Sequence, residues 1–136
     1  MKTRFRFEKL EVWQQARKIN QMIYELTRRF PRAELYAMTS QIRRVSVSIS
    51  SNIAEGSGRN SDKDFAHFLE QAYGSIMEVA SICYLAFDLG YVTESGLNPL
   101  LDALENLVKQ NAALNCPLAV TATKTPFPRA ATPALD

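Results

Sequence analysis

The chain has 136 residues, 46% hydrophobic and 22% charged, the composition of an ordinary globular protein with room for one domain and a real core. No apolar run approaches the roughly 18 residues of a membrane span, and the opening MKTRFRFEKLEVW lacks the continuous apolar core of a secretory signal. Two cysteines make no disulfide framework, so a reduced, cytoplasmic protein is expected. The net charge of +2 is unevenly spread: residues 1–60 carry 12 Lys/Arg against 5 Asp/Glu, and residues 61–136 carry 4 against 9. Two readings of that asymmetry stand at this point: a basic half resting on an acidic half, of the same molecule or of a neighbour, or a basic face for a polyanion.

Lys2, Arg4, Arg6 and Lys9 interleave with Phe5 and Phe7 in a short arm. Charge and aromatics together suit nucleic acid; the simpler role is to cap one end of a core. A first helix is predicted from about Glu8 to Phe30, with Leu10, Trp13, Ala16, Ile19, Ile23, Leu26 and Phe30 on one face. Arg28 and Arg29 fall in its last turn, where cations complement the helix dipole. Pro31 ends it, and a second helix is predicted from about Arg32 to Glu55. Its stripe is Leu35, Met38, Ile42, Val45 and Ile49, and the next heptad step lands on Asn52, predicted to be a buried amide. Arg43 and Arg44 follow Ile42 and are expected outside.

Gly56 and Gly58 are expected to provide positive φ for a helix stop and a tight turn. Ser61 with Asp64 three residues on resembles a capping box, Asp replacing the usual Glu or Gln. A third helix follows from about Asp62 to Leu89, with Phe65, Leu69, Ala72, Ile76, Val79, Cys83 and Ala86 at heptad spacing. Gly74 interrupts it at about 1 kcal/mol of helix propensity relative to Ala, which predicts a close helix approach there. Gly90 caps its end. A fourth helix begins near Thr93, or a turn later with Asn98 as N-cap and Pro99 at its first position, and ends near Asn115. Cys116 closes the pattern, and the Pro-, Ala- and Thr-rich residues 117–136 read as a flexible tail beyond a domain over 1–116. Four helices with short connections predict an all-α, antiparallel up-and-down four-helix bundle.

EVWQQA, FPRAELYAMTSQIRRVSVSISSNIAEGSGR, DFAHFLEQAYGSIMEV and FDLGYV together resemble the bacterial four helix bundle protein family, known as proteins encoded by intervening sequences within 23S ribosomal RNA genes. The resemblance spans about residues 7–115. It implies a bundle that assembles into a ring-shaped homo-oligomer, typically a pentamer, and a relationship to the basic, nucleic-acid-binding accessory proteins of diversity-generating retroelements. An origin within a ribosomal RNA gene does not itself imply ribosome binding.

The family's motif residues fall on Asn52, Glu55, Gly56 and Arg59 around the turn, and on Gly74, Ser75 and Glu78 in the third helix. With the turn near Ser57–Asn60, residues of the two helices lie level when their numbers sum to about 117, placing Ser75 beside Arg43 and Glu78 beside Thr39. Glu55 is then about 20 Å from that cluster at 1.5 Å per residue. These residues are accordingly assigned to packing, register and assembly; a polar core residue that specifies register is the best-attested use of such a group.

Enzymatic alternatives find little material. A di-metal carboxylate bundle needs Glu-x-x-His on two helices, and the single histidine, His67, has Asp64 in the Glu place. A nucleophile relay has only the same His67, and no Gly-rich loop follows a strand. A non-enzymatic protein without cofactor or metal is expected. The basic residues Arg28, Arg29, Arg32, Arg43, Arg44 and Arg59 are candidate contacts to RNA or DNA backbone along a basic hairpin; the alternative is a protein-interaction scaffold with no nucleic-acid contact.

Overall fold

A computed structural model describes residues 1–115; Cys116 and the predicted tail over 117–136 lie outside the described residues. Those 115 residues form four α-helices, α1 (Glu11–Thr27), α2 (Met38–Ser57), α3 (Asp62–Asp88) and α4 (Glu94–Asn115), with 3₁₀ turns at Arg6–Lys9 and Arg32–Glu34 and no strand among them. The predicted all-α class and helix number are therefore observed. α1 packs on α2 and α4, and α3 packs on the same two helices from the other side. One apolar core runs through all four, from Ile19 and Ile23 through Ile42, Ile49 and Ile53 to Leu69, Ile76, Val79, Leu104 and Leu107.

The helix ends explain where the predicted boundaries needed correction. The first helix starts three residues late because Glu8 is drawn into the preceding turn, accepting the backbone N–H groups of Arg4 (2.9 Å) and Phe5 (2.6 Å). Those bonds hold its carboxyl below the usual range. Phe7 stacks on Phe5 and tilts against Trp13, so this arm covers one end of the core as expected. The second helix starts six residues late. The chain makes a 3₁₀ turn after Pro31, and Ala37 leaves helical geometry (φ −124°, ψ −103°) before α2 begins.

Leu35 is consequently exposed, and the buried stripe of α2 runs Ile42, Val45, Ile49, Ile53 and Gly56. After Ile49 the stripe takes a step of four, not three. Ile53 thus occupies the core place predicted for Asn52, which is only half-buried and donates its amide to the Ser48 carbonyl (2.9 Å).

α3 begins as predicted: Ser61 Oγ accepts the Asp64 N–H at 3.1 Å. It ends in a Schellman motif, with Tyr91 N–H bonded to Ala86 O (2.9 Å), Gly90 N–H to Phe87 O (3.0 Å), and Gly90 at φ +79°. Of the two starts offered for α4, the earlier holds. Thr93 Oγ1 accepts the Gly96 N–H (3.0 Å), leaving Pro99 inside the helix.

The glycine assignments at the α2–α3 turn are corrected. Gly56 is helical and Gly58 has φ −90°, so neither uses left-handed backbone. Gly56 serves close approach: a Cβ there would lie 2.6 Å from Phe68 Cβ and 2.9 Å from Phe65 Cδ1. Gly74, for which a close approach was predicted, is exposed and a Cβ on it meets nothing within 4 Å.

Candidate nucleic-acid interface and the seam between α2 and α3

The six candidate arginines separate into two places. Arg28 and Arg29 follow α1, Arg32 opens the 3₁₀ turn, and all three are exposed. Arg43 joins this end of the molecule because its Nε donates to Thr27 Oγ1 in the last turn of α1 (2.8 Å) and its guanidinium lies 4.6 Å from the Tyr24 ring centroid. The expectation that it lies wholly outside is thus corrected: Arg43 is half-buried and already engaged. Arg44 is exposed and donates one N–H to Gln41 Oε1.

Arg59 stands apart, just past the end of α2, which runs 13 residues beyond Arg44, or about 20 Å at the α-helical rise. It pairs with Glu55 (3.0 Å) and covers the Phe68 ring at 4.8 Å. The basic hairpin is thus concentrated at its α1–α2 end, where Arg28 pairs with Glu25 at 3.0 Å, both 70% exposed. An ion pair so open to water adds little stability and leaves the arginine available to a phosphate.

The motif residues line the seam between α2 and α3. The Ser48 and Ser75 hydroxyls are hydrogen-bonded to each other (2.7 Å), and Asn52 caps the same cluster through the Ser48 carbonyl. Two helical turns along α2, Gln41 bridges Arg44 and Glu78, donating to Glu78 Oε2 at 2.6 Å. Ser75 therefore lies beside Ser48 where Arg43 was predicted, and Glu78 beside Gln41 where Thr39 was predicted. α2 extends to Ser57, which moves the turn outward and shifts the register by up to about one and a half helical turns. Glu55 and Arg59 remain a separate group at the turn, as the spacing predicted. Gly74 joins neither cluster.

Three residues at the arginine-rich end escaped the sequence reading. Glu34 accepts both the Met38 N–H (3.2 Å) and the Tyr91 hydroxyl (2.7 Å), tying the start of α2 to the α3–α4 turn. That hydrogen bond raises the Tyr91 pKa above its ordinary value. Gln41 orients Arg44, and Tyr36 projects into solvent at 93% exposure. An aromatic one place off an apolar stripe, just after a proline turn, is the only sequence signal that could have singled out Tyr36.

An open groove of about 530 Å³ lies here, lined by Glu34, Tyr36, Ala37, Met38, Ser40, Gln41 and Arg44 from the α2 side and by Ile82 and Leu85 of α3. No group of three or more His, Cys, Asp or Glu is placed to hold a metal among the described residues. Among the same residues no helix is long and apolar enough to cross a membrane.

A family model described as 23S rRNA-intervening sequence protein matches residues 8–113 of the chain, a span that holds α1 to α3 and nearly all of α4. No curated protein matches.

Proposed function

The chain belongs to the 23S rRNA-intervening sequence protein family, and from that premise we propose that it is a non-enzymatic, cytoplasmic, oligomeric scaffold that binds nucleic acid, RNA in preference to DNA. The observation that carries this reading is the gathering of Arg28, Arg29, Arg32 and Arg44 as exposed cations at one end of the first two helices. Guanidinium groups that are charged at every physiological pH and present a planar fork of donors suit phosphate oxygens. Arg43 steadies that surface, and Arg59, paired at the far end, contributes least. The residues Asn52, Glu55, Gly56, Gly74, Ser75 and Glu78 serve packing, register and assembly.

The assembly is proposed as a closed ring of antiparallel bundles, five copies being the number the family resemblance implies. Pairing of Gly56 with Phe65 and Phe68, of Ser48 with Ser75 and of Gln41 with Glu78 supports opposite directions for α2 and α3. A protein-interaction scaffold without nucleic acid is the second reading. The exposed apolar residues Val47, Met77 and Tyr84 favour it, since such side chains mark contact surfaces when they cluster.

Fluorescence anisotropy with mixed RNA and DNA oligonucleotides at about 50 mM salt separates the two. Phosphate contact predicts log K falling by about 0.7 to 0.9 per phosphate for each log unit of salt. Arg29→Glu with Arg44→Glu should then weaken binding to all sequences alike. Absence of any binding at that low salt would leave the protein scaffold.

A further inference from the structure

We infer that the groove at the start of α2 is a slot for an unpaired nucleobase, with Tyr36 as its stacking platform, so that the ligand is single-stranded nucleic acid. The inference rests on the nucleic-acid reading above and narrows it to one class of strand.

Tyr36 is the starting point. At 93% exposure it is the most exposed aromatic side chain of the described residues, and it sits inside the chain, held between the 3₁₀ turn and α2. Its ring packs on nothing in its own subunit, yet it forms one wall of the groove. Ile82 and the half-exposed Leu85 face it from α3, and Ala37 and Met38 complete an apolar lining. A volume of about 530 Å³ falls within the range of small-ligand sites, enough for a planar base beside Tyr36.

The polar groups around the slot are already sorted. Glu34 is occupied by the Met38 N–H and the Tyr91 hydroxyl, and Gln41 by Arg44 and Glu78. Those bonds fix the walls, engaging both oxygens of Glu34 and one of Glu78. Arg44 has donated a single N–H, and the Ser40 hydroxyl lines the groove beside it. Arg29 and Arg32 are exposed in the segment that leads into Tyr36.

An aromatic platform next to a cationic rim is the arrangement that holds single strands, because any base has a π-face while only an unstacked one can present it. A duplex keeps its bases inside and meets the arginines alone. Arg44, with N–H groups left to donate, is complementary to phosphate, and Glu34 is tied up by Met38 and Tyr91, which favours a strand over an apolar peptide in the same groove.

The test uses the full chain and a fluorescein-labelled, mixed-sequence RNA of about 16 nucleotides, the upper end of single-strand site sizes, beside the same sequence as a duplex. Tyr36 makes no packing contact that its removal would break, so Tyr36→Ala should melt as the parent does. It should weaken single-strand binding by roughly 5- to 100-fold, the effect of losing one stacked base. Duplex binding should be unchanged, as should the salt slope. Tyr36→Phe should restore binding, since the ring stacks and the hydroxyl does not.

If single-strand binding survives Tyr36→Ala but falls with Arg44→Glu, the base slot is overturned and the basic surface stands. If neither strand nor duplex binds the parent at about 50 mM salt, the nucleic-acid reading itself is lost and the slot with it. If Tyr36→Ala lowers the assembled mass in light scattering, the groove is a contact between copies and the slot is again overturned.

Discussion

Gly56 and Gly74 show how one residue type can be required by the packing of the subunit at one place and not at another. A methyl group at Gly56 would overlap Phe68 Cβ, an atom anchored to the α3 backbone, so α2 and α3 must separate to admit it. Gly56→Ala should destabilise the fold by about 1 to 3 kcal/mol through overpacking, read as a lower urea midpoint. Gly74 meets nothing, and Gly74→Ala should raise stability by about 0.4 to 1 kcal/mol by lowering the entropy of the unfolded chain and improving helix propensity. Cys83 gives a residue-scale prediction in pH. Burial pushes its thiol up to about 12 from an ordinary 9.0, because the thiolate is poorly solvated among apolar side chains. The folded state therefore favours the protonated form, and its contribution is complete below pH 9 and is lost as pH rises from 9 toward 12. Denaturation midpoints should fall across that alkaline window in the parent and fall less in Cys83→Ala, compared against that variant's own neutral-pH stability. A thiol reagent at pH 8 should leave Cys83 unmodified until the protein unfolds.

The helices themselves were legible wherever a local signal acts alone. Ser61 with Asp64 started α3 correctly, and Gly90 ended it, because capping bonds are made within a few residues of chain. Ser61→Ala should cost about 1 kcal/mol, and Gly90→Ala about 1 to 2 kcal/mol through its left-handed backbone; thermal melts of the two variants check both. What was not legible depended on choices between near-equal local options. Pro31 permits either a helix start or a 3₁₀ turn, and the Glu34 bonds to Met38 and Tyr91, the second reaching 57 residues along the chain, favour the turn. A strict heptad put Asn52 in the core, but 3.6 residues per turn allows a step of four, and Ile53 is the better occupant. That single step turned Asn52 out of the core, and the longer α2, not the step, moved Ser75 from Arg43 to Ser48. The candidate site suffered in the same way. All six arginines were visible as charges, but the Thr27–Arg43 bond that draws one of them to α1 is a tertiary contact that no spacing announces.

At the scale of the whole molecule, the first two helices carry the positive charge and the last two the negative, and for the proposed ring the question is which force would join one copy to the next. If basic and acidic halves meet across an interface, association must weaken as salt screens them; at about 1 M the screening length is only about 3 Å. If apolar side chains join the copies, added salt leaves association intact. The outer face of α3 argues for the second. Met77 and Tyr84, 37% and 56% exposed, stand about one and three helical turns from Gly74, where the absence of a side chain leaves the backbone open to a neighbour. Light scattering should accordingly show an assembled mass that persists from about 0.1 to 1 M salt. Tyr84→Glu should reduce it to the mass of a single chain, because a carboxylate cannot be buried there without a partner. Gly74→Leu should do the same by filling the gap, while the intrinsic melting of the subunit stays close to the parent's, since neither residue touches its core. Dissociation by salt, with Tyr84→Glu and Gly74→Leu still assembled, would assign the interface to the opposed charges instead and leave the outer face of α3 free.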